Sequence, residues 1–183
     1  IFTSVLGASP ESPVPFVQGK AKTEERLRAS GMGHTILAPD FFSEVWVGMV
    51  VGGPLQRGEP VTLVGEGQRK HAYVSMADVA AFATAAVDNP AARNAYLPIG
   101  GPEALSWRDI VGVCGQVVGG ELPVRYVAIG EPLPGIPEGA QPLIWGLETY
   151  DSAVDMAELT RTFGVALTPL EVVAGRMFGG DRS

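Results

Sequence analysis

Apolar and polar positions along this chain follow two periods. Short apolar runs bounded by Gly or Pro predict strands at Ile1–Leu6, His34–Pro39, "PVTLVG" (60–65), "HAYVSM" (71–76) and "NAYLPIGG" (94–101). From about Phe16 the period is helical, with Lys20–Glu24 and Glu24–Arg28 pairs at i,i+4 spacing and Gly31 at the C-cap. Three later helices declare themselves through their N-termini. Ser75 with Asp78 opens one that Asn89-Pro90 ends, and Ser106 with Asp109 opens another. Thr168 as cap, Pro169 at the first helical position and Glu171 at the third open the last. The Pro- and Gly-rich stretch Ala128–Gln141 reads as a surface loop over a cleft or a partner. Strand, crossover helix, strand over the first 39 positions is the unit of a parallel sheet with helices on its faces, so the predicted fold class is α/β.

Composition narrows the choice. A chain of 183 residues, 46% hydrophobic and 18% charged, describes a globular core. Thirteen basic against twenty acidic residues give a formal charge of −7 with no basic cluster, which disfavours a nucleic-acid partner. The apolar run "EVWVGMVVGG" is broken by Gly well short of the roughly 20 residues that span a bilayer, so no membrane segment is expected. The single Cys114 fits a reducing, cytoplasmic setting, and with His34 and His71 far apart no metal site is expected. The three Trp residues, 46, 107 and 145, are expected in the core or an interface.

In open parallel sheets, ligands sit at the carboxyl ends of the strands. Ser4, Gly7, Pro39, Asp40, Phe41 and Phe42 would rim that crevice, or serve as ordinary turn and packing residues. Phe16 and Lys20 share one helix face beside it. By spacing alone Lys20 is a solvated lysine paired with Glu24, and Asp78 and Asp109 are helix-capping residues in preference to an acid/base pair.

The order of "SVLGA", "FVQGKAKTEERLRASG", "HTILAPDFF", "HAYVSMADVA" and "YLPIGGPEALSWRDI" resembles the C-terminal two thirds of atypical short-chain dehydrogenase/reductases of the NmrA-like, NAD(P)-binding group, from about Ile1 to Val118. The resemblance implies a Rossmann-like parallel sheet with flanking helices and a small C-terminal substrate-binding lobe. Residues 1–60 would belong to the dinucleotide domain, and 61–183 to the lobe together with sheet-completing segments. It implies a cofactor, NADP or NAD, with Lys20 as the catalytic lysine on the nicotinamide ribose, and Ser4 near the catalytic Ser position. Gly7 and Pro39–Phe42 would flank the nicotinamide, and Phe16 and Phe42 would face the substrate. Phe16 stands where the family carries the proton-donating Tyr. No G-x-G-x-x-G turn opens a helix after a strand; "GEGQRKHAYV" and "VVGGPLQRG" read as turns, so the phosphate-binding half of the Rossmann unit is expected to be missing, through truncation or a preceding segment. The functional expectation is an NAD(P)H-dependent reductase transferring hydride to a quinone-like or carbonyl small molecule. The alternatives are a non-catalytic NAD(P) sensor acting through a protein partner, and a remnant domain or homo-oligomer subunit that binds no nucleotide.

Overall fold

The computed structural model describes residues 1–179. In chain order the elements are β1 (Phe2–Thr3), α1 (Pro15–Ala29), β2 (Thr35–Pro39), α2 (Ser43–Val47), a π-helical turn at Gly48–Gly52, and α3 (Gly53–Arg57). There follow β3 (Val61–Val64), α4 (Met76–Ala85), β4 (Ala95–Ile99), α5 (Trp107–Val118), β5 (Val124–Val127), α6 (Gln141–Leu147), α7 (Ala157–Phe163) and α8 (Leu170–Phe178). The strands form two parallel sheets, β1-β2-β4 and β3-β5, flanked by helices in a Rossmann-like α/β arrangement. β2 lies in the middle of the larger sheet with all five residues buried, as a strand covered on both faces must be. β4, late in sequence, completes the sheet that the first 40 residues begin.

Local chemistry explains the elements. Regular β1 is only two residues long, yet its ladder continues: Ser4 N donates to Leu37 O and Leu6 N to Pro39 O. α1 starts on Pro15, whose missing N–H suits a first helical turn, and Gly31 follows the helix at φ 74°, the left-handed conformation that favours Gly. Ser106 and Asp109 form a complete capping box at the start of α5.

Four local expectations need correction. "HAYVSM" is not a strand. Its backbone groups are claimed one at a time by separate segments: His71 exchanges two bonds with Leu105, Ala72 N donates to the Asp40 carboxylate, and Val74 N donates to Phe41 O. "VVGGPLQRG" is helical up to Gly58 instead of a turn. Asp78 does not bond back to its own helix start; its carboxylate accepts from Thr168 N and Thr168 Oγ1, both at 2.7 Å. With Thr168 so engaged, Pro169 becomes the N-cap and α8 begins at Leu170. The Ser75 hydroxyl, meanwhile, caps α4 through Ala77 N and donates to Glu44.

Two apolar clusters hold these layers. One gathers Val51, Leu63, Trp107, Ile110, Leu147 and Val173 around the small sheet; the other gathers Leu37, Phe82, Ile99 and Phe163 around the large one. Trp107 is buried, whereas Trp46 and Trp145 are partly buried at the edge of the first cluster. Gly101 packs directly on the Tyr73 carbonyl oxygen, where a Cβ would collide, and this close approach seats the 71–75 segment on the end of β4.

Candidate active site

A cavity of about 520 Å³ opens at the carboxyl ends of β1 and β2. Its lining comes from the β1–α1 connection and the start of α1, from Thr3 to Lys20, from a floor of Pro39–Phe42 with Trp46, and from α6 and Tyr150. The structure therefore brings together every residue expected at the crevice: Ser4, Gly7, Phe16, Lys20, Pro39, Asp40, Phe41 and Phe42 all line it. The Pro-rich loop expected over a cleft does not line this cavity. It is tied down by Gln141 and by Trp145 Nε1 on Glu131 O, and the helix that follows it supplies Pro142, Leu143 and Gly146 instead.

Each side chain is held for a reason. Lys20 does not pair with Glu24. Its Nζ donates to Thr3 O at 2.7 Å and sits 5.0 Å from the Phe2 ring centre and 5.3 Å from that of Phe16, so a carbonyl and two π faces hold the ammonium at the cleft wall. Glu24 turns inward, is buried, and takes the Ser4 hydroxyl and Arg28, at 2.8 Å. The Ser4 hydroxyl is thereby committed to packing α1 on the sheet. Gly7, at φ 72°, leaves open space where a Cβ would stand, so the backbone can be approached closely. Phe16 is 57% exposed and presents its ring at the mouth. Phe41 packs edge-on against Trp46 and His71, which fixes the floor.

Asp40 is the unusual member. Its Oδ2 accepts from Ser152 Oγ at 2.6 Å and Ala72 N at 3.0 Å. Burial pushes the carboxyl up to about 6, against the opposing pull of those two hydrogen bonds. Behind it, His71 is buried, with Nδ1 2.8 Å from Ser152 Oγ and Nε2 2.8 Å from Leu147 O. Burial holds this imidazole below its ordinary value, although the Leu147 carbonyl and Asp151 pull the other way. Tyr150 stacks edge-on to His71 at 5.2 Å and lines the cleft; burial, then the charge of Asp40, raises its phenol. The Tyr73 hydroxyl is buried with no hydrogen-bond partner among the described residues.

His71, Tyr150, Ser152 and α6 escaped the sequence reading. The sequence marks His71 only as one of two histidines far apart, and its place behind Asp40 comes from contacts with Ser152 and Leu147. Ser152 lies 112 positions from its partner Asp40, and no local pattern signals such a contact.

A parallel sheet with a crossover helix and a lysine-bearing cleft at its carboxyl edge defines a Rossmann-like α/β protein. No family model matches the chain. It is 31% identical over 176 residues to an NAD(P)H azoreductase of Xenophilus azovorans, an alignment covering 96% of this chain and 56% of that protein. An NADPH-dependent quinone oxidoreductase of Escherichia coli, complexed with NADPH, superposes with a TM-score of 0.78 at 21% identity over 97% of this chain and 65% of that one. A triphenylmethane reductase of Citrobacter sp. superposes with a TM-score of 0.76 at 16% identity, covering 97% and 63%. The chain thus spans somewhat more than half the length of the azoreductase and just under two thirds of either solved structure.

Proposed function

We propose that the cleft holds the nicotinamide end of NAD(P)H and that the protein is a reductase of azo, quinone-like or related conjugated small molecules. The observation that carries this reading is the Lys20 ammonium fixed beside an aromatic wall at the carboxyl edge of a parallel sheet. The residues present fit that group. A flat ring needs the apolar faces that Phe41, Phe42 and Trp46 offer, ribose hydroxyls need a donor such as Lys20, and the open backbone at Gly7 admits a close approach. When bound, the cofactor supplies hydride. Lys20 would donate to the ribose, as it now donates to Thr3 O, and the Pro39–Phe42 backbone would hold the carboxamide. Ser4, with its hydroxyl on Glu24, would contribute backbone. We assign residues 1–60 to the cofactor side, and α6 with Tyr150, from 61–183, to the acceptor side, because both groups line the one cleft. Phe16 and Phe42 would contact the acceptor. The names of the relatives support the substrate class, and the NADPH-bound neighbour favours NADPH over NADH.

Phe16 favours one second reading, a non-catalytic NAD(P) sensor, because a phenyl ring donates no proton. Loss of nicotinamide absorbance in the presence of azo and quinone acceptors, beside a fluorescence titration with NADPH, separates the two. Turnover supports the reductase, binding without turnover the sensor, and no binding overturns both.

A further inference from the structure

Among the described residues three titratable side chains line the cleft: Lys20, Asp40 and Tyr150. Asp40 alone has a chain of hydrogen bonds behind it, running through Ser152 and His71 to Leu147 O. The chain fixes its own proton count. A carbonyl only accepts, so His71 Nε2 carries hydrogen. Ser152 has one hydroxyl hydrogen for two neighbours, the imidazole Nδ1 at 2.8 Å and the carboxyl Oδ2 at 2.6 Å. Both contacts are hydrogen bonds only when the chain holds one proton more than a carboxylate facing a neutral imidazole has. That proton rests on the carboxyl, which reverses the Ser152 donation to Oδ2 of the ionised form so that Oδ2 donates to Ser152 and Ser152 to Nδ1, or on the imidazole, with Nδ1 donating to Ser152 and Ser152 to Oδ2. The first arrangement leaves neither end charged, which a buried site favours.

We infer that Asp40 is the proton donor of the cleft, kept as a carboxylic acid by its burial, positioned by Ser152 and His71, and standing in for the phenol that Phe16 lacks. The inference rests on the reductase reading and deepens it. An azo or quinone acceptor that has taken a hydride from NAD(P)H carries negative charge on nitrogen or oxygen. A half-turn of the Asp40 carboxyl about Cβ–Cγ brings its O–H to the cleft, while the other oxygen accepts from Ala72 N. The carboxyl O–H bond breaks, an N–H or O–H bond forms on the acceptor, and Ser152 turns its hydrogen from Nδ1 to the new carboxylate. A proton from water in the cleft reloads the chain. Ser152 and His71 are positioning residues. The other ionisable groups here leave the chain intact: Tyr73 and Tyr150 face Asp40 with raised values and stay uncharged, Asp151 faces His71 from its bonds to Lys70 N and Arg69, and Glu148 faces Tyr73.

Two acceptors that differ in proton demand test the assignment. A cationic triarylmethane dye becomes its neutral leuco form by taking a hydride alone, whereas an azo dye needs a hydride and a proton. In Asp40→Asn the ratio of azo to triarylmethane rates should fall about 10²-fold, the lower range for a general acid, and azo reduction should lose its rise toward acid pH. An unchanged ratio overturns the assignment. A readout independent of turnover is NMR of the Asp40 carboxyl carbon and the His71 ring nitrogens. In the wild type they should titrate as one coupled event, and in Ser152→Ala as two independent ones. Independent titration in the wild type overturns the chain. If the wild type oxidises NAD(P)H with neither acceptor, the reductase reading fails and the donor role fails with it, while the NMR titration still decides whether the chain exists.

Discussion

Asp40→Asn should make the protein more stable at alkaline pH and leave it no more stable in acid. The folded carboxyl titrates at about 6 against an ordinary 3.8, so the native state binds the proton more tightly than the unfolded chain does. The sign follows. What this group contributes is fully present below about 3.8 and is lost as pH rises through about 6, because above that value folding buries a charge. At 1.36 kcal/mol per pH unit the displacement amounts to about 3 kcal/mol. An Asn keeps an oxygen to accept from Ala72 N and Ser152 and carries no charge, although its amide fits the serine–histidine chain poorly, at a cost of about 1 kcal/mol. A net gain of about 2 kcal/mol in a chain of this length corresponds to a melting point higher by about 4–8 °C near pH 8. Thermal unfolding followed by circular dichroism from about pH 4 to pH 8, at constant ionic strength, measures it. Asp109 and Asp151, held low chiefly by hydrogen bonds to backbone N–H groups, destabilise both proteins alike as pH falls, so the difference between the curves isolates Asp40 and the His71 coupled to it. A difference in melting point that does not change with pH would refute the reasoning.

Lys20→Ala should weaken NADPH binding by about 1.5–3 kcal/mol, the usual worth of a charge-assisted hydrogen bond, and calorimetry showing unchanged affinity would return Lys20 to a surface role. Phe16→Tyr should raise reduction of carbonyl acceptors by a factor of about 10² or more, and do less for quinones, because it places an acid about where a ring already stands 5.3 Å from the Lys20 ammonium; equal effects on both would show that the hydroxyl is misplaced. Asp78→Ala should cost about 3 kcal/mol by stranding Thr168 N and Oγ1, whereas Ser75→Ala costs about 1, and urea denaturation that finds the two equal would restore Asp78 to a mere capping role. Cys114, buried and with its thiol pushed up to about 11, should resist alkylation in the native protein at pH 8; prompt labelling would contradict its burial.

The parallel sheet was legible because its signals are local. "HTILAP" is apolar over its last four positions and stops at Pro, and the strand it predicts differs from β2 by one residue at its start. "HAYVSM" carries the same kind of signal and fails, since a strand needs a partner that satisfies its backbone along a line. Here Asp40, Phe41, Ser43 and Leu105 divide that backbone among them. Ser-x-x-Asp at positions 75 and 106 makes the same point. At 106 no outside group competes, and the capping box closes; at 75 the free N–H and hydroxyl of Thr168 reach the carboxylate first. A local pattern states what a segment can do, and competition from distant donors decides what it does.

The cleft divides along the same line. Ser4, Gly7, Phe16, Lys20 and Pro39–Phe42 lie at strand ends or on the crossover helix, where topology alone directs them to one edge, so eight residues picked from two short stretches all reach one cavity. Nothing local distinguishes Asp40 from an ordinary turn aspartate. Its chemistry depends on a serine and a histidine that approach only after the 71–75 segment has been seated on β4 by Gly101, and after the chain beyond α6 has brought Ser152 to Lys70 O and to the carboxylate. Those are long-range events, and a residue pattern carries no trace of them. The consequence for Phe16 is direct. Read from the sequence, a phenyl ring beside Lys20 argues for a site that cannot move protons; with Asp40 as the proposed donor, it leaves an aromatic wall for the acceptor and moves the acid to another residue lining the same cleft.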